Sequence, residues 1–168
     1  MAKTYRVNFT VRASNWMTAM LLRAGEKIGP SRFPIILLTV RGRKSGQPRT
    51  TPVVTAEYDG KRYLIGTFGN VNWVRNLRAA GEATLTRGRR AEQISVVELT
   101  PAEAAPLLKE ILSTPYSASF TRRYFDVTPD SSLEEFEREA PRHPAFLVQS
   151  AASRANAVTR ETLNSGAL

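Results

Sequence analysis

An aliphatic and β-branched run, Ile35 to Val40, ends in a basic, glycine-bracketed bend, Arg41 to Arg49. A second strand-like run follows from Thr50 to Tyr58. Apolar runs of this length split by Gly and Pro read as two strands joined by a loop. The bend carries Arg41, Arg43, Lys44 and Arg49, with Ser45 and Thr50 as short hydroxyl donors. Gly42 and Gly46 let the backbone turn and approach a ligand closely. Guanidinium, ammonium, hydroxyl and bare N–H groups converging on one turn suit a phosphate or carboxylate. The bend is not a P-loop, because that pattern needs its Lys after the second Gly and a helix behind it. Here Lys44 precedes Gly46 and a strand follows.

The rest of the chain limits what such a bend can serve. At 168 residues, 42% hydrophobic and 23% charged, the chain fits one globular domain. Cysteine is absent and His143 is the single histidine. Thiolate chemistry, cysteine-ligated metals and a Ser-His-Asp triad are therefore poorly supplied, and no metal site is expected. His143, between Arg142 and Pro144, reads as structural or solvent-exposed for lack of partners. The net charge of +9 favours an acidic ligand, nucleic acid or an anionic membrane surface. The arginines form no basic tail and no RRM or zinc-finger signature is present, so nucleic acid is not expected. No run approaches the ~18 apolar residues of a membrane span. The N-terminus lacks a signal peptide's apolar core, so a cytoplasmic location is expected.

Taken in order, residues 1–12 alternate loosely and read as an arm or edge strand. Residues 14–28 read as a helix with Trp16, Met17, Met20, Leu21, Ala24 and Ile28 on one face and Arg23 and Lys27 on the other. That face either packs on the core or lies on an anionic bilayer, which would place the protein peripherally at the inner face of the cell membrane. Asp59-Gly60 predicts a tight hairpin pairing Val53–Tyr58 with Arg62–Thr67. Gly66 to Asn72 is a Gly/Asn loop opening a helix at Trp73, with Asn72 as N-cap and Gly81 as its end. The loop either offers N–H groups to a ligand or is an ordinary connection.

Ala83–Arg87 and Arg89–Leu99 read as another hairpin. Thr100-Pro-Ala-Glu103 is a capping box opening a helix in which Pro106 predicts a kink or late start. Pro115 to Phe125 mixes aromatics with Arg122 and Arg123. Ser132-Leu-Glu-Glu135 is a second capping box, closed by Pro141. Pro144–Gln149 is a last strand, and 151–168 a polar tail beyond a single domain of residues 1–150. Strands arriving as hairpins, about six of them, predict an α+β fold. Its centre is an antiparallel split β-barrel with peripheral helices.

Two segments resemble the deazaflavin-dependent nitroreductase family, a branch of the split-barrel oxidoreductases related to FMN-binding pyridoxamine-phosphate oxidases. Leu37 to Val53 is similar to the family's G-R-K-[ST]-G-x-x-R-x-x-P motif, and Asn72 to Ala79 to its W-x-x-N-L helix. Phe68-Gly69-Asn70 stands where members often carry Ser-x-Gly-Gly. The resemblance implies binding of reduced coenzyme F-420, an 8-hydroxy-5-deazaflavin with a phosphodiester and glutamate tail. Arg43, Lys44, Ser45, Arg49 and Thr50 would hold the phosphodiester. Thr51, Pro52 and Val53, with Gly66, Thr67, Phe68, Gly69 and Asn70, would lie beside the ring. Trp73 would pack under the ring or ribityl chain, or in the core. The coenzyme would deliver hydride to a small electron-poor molecule: a quinone, activated alkene or nitro compound. Tyr116 or Tyr124 would donate the proton or orient the substrate. The same barrel using FMN, and a basic module for membrane or nucleic acid, are the alternatives. Both monomer and homodimer stay open.

Overall fold

The computed structural model describes residues 15, 17–22, 24, 33–115 and 121–150. The arm at 1–12, Trp16, Tyr116 and the tail at 151–168 lie outside them. Six strands form the centre: β1 (Ile35–Arg41), β2 (Pro48–Tyr58), β3 (Lys61–Ile65), β4 (Glu82–Arg87), β5 (Arg90–Glu98) and β6 (Ala145–Ser150). They close into an antiparallel barrel in the order β1-β2-β3-β6-β5-β4, with β1 pairing back onto β4. Around it are α1 (residues 17–22), α2 (Asn72–Ala80), α3 (Pro101–Ser113) and α4 (Leu133–Glu139), with short 3₁₀ turns at Arg122–Tyr124 and Ala140–Arg142.

Strand alternation sorts the apolar side chains into two cores. Ile36, Leu38 and Val40 of β1 meet Val53, Leu64, Leu85, Ile94, Phe146 and Val148 inside the barrel, and Val74 and Leu77 of α2 stopper it. Ile36, Leu38 and Val40 recur at period two on the inner face, with Leu37 between them buried as well, and this inner set fixes the register. Ala56, Tyr63 and Ala145 belong to a second core, outside the barrel wall. Leu107, Leu108, Ile111 and Leu112 of α3 and Phe136 of α4 cover it.

Local chemistry sets the connections. Asp59 and Gly60 both adopt positive φ, 48° and 67°, which is the twist a two-residue hairpin needs. β2 and β3 then pair Tyr58 with Lys61 and Thr55 with Leu64. Thr100 and Ser132 each cap their helix reciprocally with Glu103 and Glu135. α3 starts at that cap and runs unbroken through Pro106, so the late start expected there does not occur. Gly81 ends α2 in the left-handed region, φ 68°, with its N–H on the Leu77 carbonyl.

Two expectations need correction. The N-cap of α2 is Val71, not Asn72, and no side chain caps that end. The reason lies in the tight turn before it: Gly69, at φ 84°, bonds the Gly66 carbonyl, and the Val71 N–H bonds the Gly69 carbonyl. The helix therefore begins one residue early. Secondly, of the two readings of His143 the exposed one fails and the structural one stands, though not for lack of partners: it is 2% exposed with an oxygen within 3.0 Å of each ring nitrogen. The apolar face expected of the N-terminal helix points outward where it is described: Met17, Met20, Leu21 and Ala24 are exposed, while Leu22, outside that face, is buried.

Candidate functional site

The bend between β1 and β2 is closed by two backbone bonds, Gly42 N–H to the Gln47 carbonyl and Gly46 N–H to the Gly42 carbonyl, both 2.8 Å. Gly46 has φ 68°, and Gly42 is buried so tightly that a Cβ there would sit 3.0 Å from Ser45 Oγ and 3.1 Å from the Gln47 oxygen. Such a knuckle leaves its long side chains no place but outward. Arg43, Lys44 and Arg49 are exposed. None of the three forms an ion pair with a described residue. The acids instead pair elsewhere: Glu92 with Arg62, Glu98 with Arg78, and Asp126 and Glu139 with Arg142. Among the described residues the positive charge at the bend has no ion-pair partner, which suits an anion.

Helix α2 aims one of these cations. Asn76, only 6% exposed, accepts from the Arg43 backbone N–H at 3.3 Å and from its Nη1 at 2.9 Å through the same Oδ1. Trp73 lies one turn earlier on the same face, as i, i+3 spacing requires. Its ring tilts at 56° to Phe146, centroids 6.3 Å apart.

A cleft of about 610 Å³ runs from the bend along the barrel wall to the start of α2. Of the residues expected at a cofactor site, Arg43, Lys44, Ser45, Arg49, Thr51, Pro52, Val53, Thr67, Phe68 and Trp73 line it. Thr50 does not; its hydroxyl bonds that of Thr39 at 2.8 Å. Gly66, Gly69 and Asn70 also do not line it, but they shape the wall that does. A Cβ on Gly66 would meet Val74 Cγ2 at 2.9 Å. The Asn70 carbonyl accepts from Arg75 Nε at 2.7 Å, and its side-chain oxygen from Arg78 Nη1 at 3.1 Å.

Tyr124 is one ring removed from the cleft, with its edge on Phe68 at 4.9 Å and Arg123 over its face at 5.7 Å. Tyr116 lies outside the described residues. Sequence reasoning missed Asn76, Asn72, Val71, Ile65, Val40 and Asn15 as lining residues. Only Asn76 had a usable signal: it shares a helix face with Trp73 inside the W-x-x-N-L segment.

Behind the wall, His143 Nδ1 lies 2.9 Å from the Thr67 carbonyl oxygen and Nε2 lies 3.0 Å from Glu139 Oε1. Burial pushes the imidazole pKa below its usual 6.5, against the opposing pull of Glu139 and the Thr67 carbonyl.

The family described as F420H2-dependent quinone reductase matches residues 11–126. Among solved structures, one described as an F420-H2 dependent reductase is 21% identical, covers 68% of this chain and 93% of its own, and has a TM-score of 0.45. Another, described as a domain-swapped dimer, is 22% identical over 84% of this chain and 100% of its own, with a TM-score of 0.47. A protein of the pyridoxinephosphate oxidase family from Clostridium acetobutylicum is 16% identical over 69% and 74%, with a TM-score of 0.45. The family match spans the bend, the cleft wall, α2 and Tyr124, and it decides for the deazaflavin over FMN. The chain therefore belongs to the F420H2-dependent quinone reductase family, and is a split-barrel oxidoreductase whose cofactor is coenzyme F-420.

Proposed function

We propose that the cleft between the basic bend and α2 seats reduced coenzyme F-420, and that the protein uses it to reduce a small electron-poor molecule such as a quinone, an activated alkene or a nitro compound. The observation that carries this reading is the cleft itself. One end holds Arg43, Lys44 and Arg49, and the walls beyond are the extended Thr51–Val53 backbone, Phe68 and Trp73. A long molecule with negative charge at one end and a flat ring at the other matches that division. Each guanidinium–phosphate bond contributes about 1.5–3 kcal/mol. The closeness of Gly42 to its neighbours supports the fit, since any side chain there would fill the knuckle.

When bound, the reduced deazaflavin supplies a hydride from its C5. The chain's own part is to hold the ring against the Thr51–Val53 wall and to keep an acceptor close to it in a space with little water. Tyr124, in contact with Phe68 at the cleft's edge, is suited to orient the acceptor or to give it a proton. Tyr116, eight positions earlier, is its rival for that role.

Titration with the coenzyme tests the reading. Fluorescence should quench saturably at about micromolar concentration or below, and joint replacement of Arg43 and Lys44 by Ala should weaken binding more than about tenfold. A protein that never saturates has no such site. Undiminished affinity in the double variant would move the phosphate end elsewhere.

A second reading concerns location. Among the described residues no helix is long and apolar enough to cross a membrane. Met17 and Met20 are 55% and 52% exposed, which supports peripheral contact of α1 with a lipid surface. Co-sedimentation with anionic vesicles should fall on Met17→Ser plus Met20→Ser; equal sedimentation would remove the contact.

A further inference from the structure

Thr67 and Phe68 form one side of the cleft, and the chain holds them from behind. The Gly66 N–H donates to the Pro144 carbonyl at 2.7 Å. The next residue's carbonyl, that of Thr67, faces His143 Nδ1 at 2.9 Å. A carbonyl oxygen only accepts, so this contact is a hydrogen bond in the tautomer that carries its proton on Nδ1. On the other side Nε2 and Glu139 Oε1 are 3.0 Å apart, so a second acceptor faces the ring. Glu139 is itself fixed, taking the Asp126 N–H on Oε1 at 3.1 Å and Arg142 Nη1 on Oε2 at 3.1 Å. The imidazole is stacked on Phe125, centroids 3.7 Å apart and planes 12° apart. These contacts fix its position and its tilt.

Packing alone does not call for this. A phenyl ring would fill the same space on Phe125 without bringing polar nitrogens and a carboxylate out of water, which is costly. What a phenyl ring cannot do is donate to the Thr67 carbonyl. That carbonyl's peptide is the hinge between Gly66, where a Cβ has no room, and Phe68, whose side chain stands 39% exposed at the cleft.

We propose that His143 is a positioning residue for the coenzyme ring: through its Nδ1–H bond to the Thr67 carbonyl, with Glu139 steadying the other nitrogen, it sets the Thr67–Phe68 wall at the spacing the deazaflavin needs. The inference rests on the reading that this cleft seats the coenzyme. It assigns a function to a buried pair that touches neither coenzyme nor substrate.

The single histidine makes the test direct. In protein carrying ¹⁵N-labelled histidine, the imidazole resonances of the full chain should report a protonated Nδ1, and adding oxidised coenzyme should move them. His143→Phe keeps the stack on Phe125 and removes the donor. It should bind both the coenzyme and its phosphate-free ribityl deazaflavin about tenfold more weakly, the loss of one hydrogen bond's worth. His143→Gln, which retains an N–H donor, should recover most of that. Resonances that do not respond to coenzyme overturn the inference. So does a His143→Phe protein of lowered melting temperature but unchanged affinity, because the histidine is then only structural. Should His143→Phe not fold, the resonances and the Gln variant decide. If the unaltered protein binds neither ligand, the proposed function falls and this inference with it. If it binds both and His143→Phe binds them equally, the inference alone falls.

Discussion

Asn76 Oδ1 accepts two hydrogen bonds from one residue, Arg43, 33 positions earlier: the backbone N–H at 3.3 Å and Nη1 at 2.9 Å. A buried amide on a helix thereby fixes both the path of the basic bend and the direction of one of its cations. The two motifs of the sequence meet at this atom.

Asn76→Ala should therefore weaken coenzyme binding about tenfold although no charge is lost, because Arg43 is freed to sample other directions. It should also lower stability by ~1–3 kcal/mol, the cost of leaving a backbone donor and a guanidinium without their acceptor. Asn76→Asp gives the sharper contrast. A carboxylate there would pair with Arg43, restore the stability and still depress affinity by competing with the phosphate. Urea unfolding and fluorescence titration on the same samples separate the two effects.

Gly66→Ala should disturb the cleft from the opposite wall. The new Cβ would sit 2.9 Å from Val74 Cγ2 and 3.1 Å from the Gly69 carbonyl oxygen, and the latter is backbone. Overpacking of this kind costs ~1–3 kcal/mol. The Gly66–Asn70 loop should shift outward, and melting temperature and coenzyme affinity should fall together. Gly60→Ala offers a control: nothing lies within 4 Å of its Cβ, and its strain comes from a φ of 67°. It should lose stability without losing affinity.

Tyr124→Phe keeps the edge contact with Phe68 and removes only the hydroxyl. If that hydroxyl gives the acceptor its proton, kcat should drop by about two orders of magnitude with little change in coenzyme affinity, as loss of a general acid does. A kcat within twofold of the parent would transfer the role to Tyr116 or to water.

Acid should destabilise the fold through two surface pairs. Glu92 lies below its usual 4.5 because Arg62 bonds both of its oxygens, and Asp126 below its usual 3.8 because of Arg142. A carboxylate lowered in the fold binds fewer protons there than in the unfolded chain, so stability rises with pH across that range. The contribution of Glu92 is complete above pH 4.5 and disappears as pH falls through its folded value. The urea midpoint should decline below about pH 4.5, and Glu92→Gln should flatten that decline. An unaltered slope would show that the pair adds nothing in water.

What the sequence made legible was local. The Asp59-Gly60 hairpin, both capping boxes and the stop at Gly81 each depend on residues within four positions of one another, so short patterns disclose them. The aliphatic, β-branched run Ile35–Val40 disclosed a strand buried along most of its length. The closure of β1 onto β4, and of β6 between β3 and β5, depends instead on pairings between distant segments that no local pattern encodes.

The site divides along the same line. The cations, the Thr51–Val53 wall and Trp73 were readable as types in a motif. The hydrogen bonds that orient them were not. Asn76 meets Arg43 across 33 positions, and His143 meets Thr67 across 76. For His143 the nearer partner, Glu139, sat four residues away on a short helix and gave a hint that went unused. The start of α2 moved by one residue because backbone bonds within the Gly66–Val71 turn outweigh the preference of Asn for a cap.

Helix α2 has two clients. Val74 and Leu77 serve the barrel interior, while Trp73 and Asn76, on the neighbouring stripe of the same helix, serve the cleft. Trp73 also packs on the barrel core and Asn76 also holds the bend, so a change at either retunes the cleft only together with stability, and the shape of the cleft is tied to how firmly the barrel is closed.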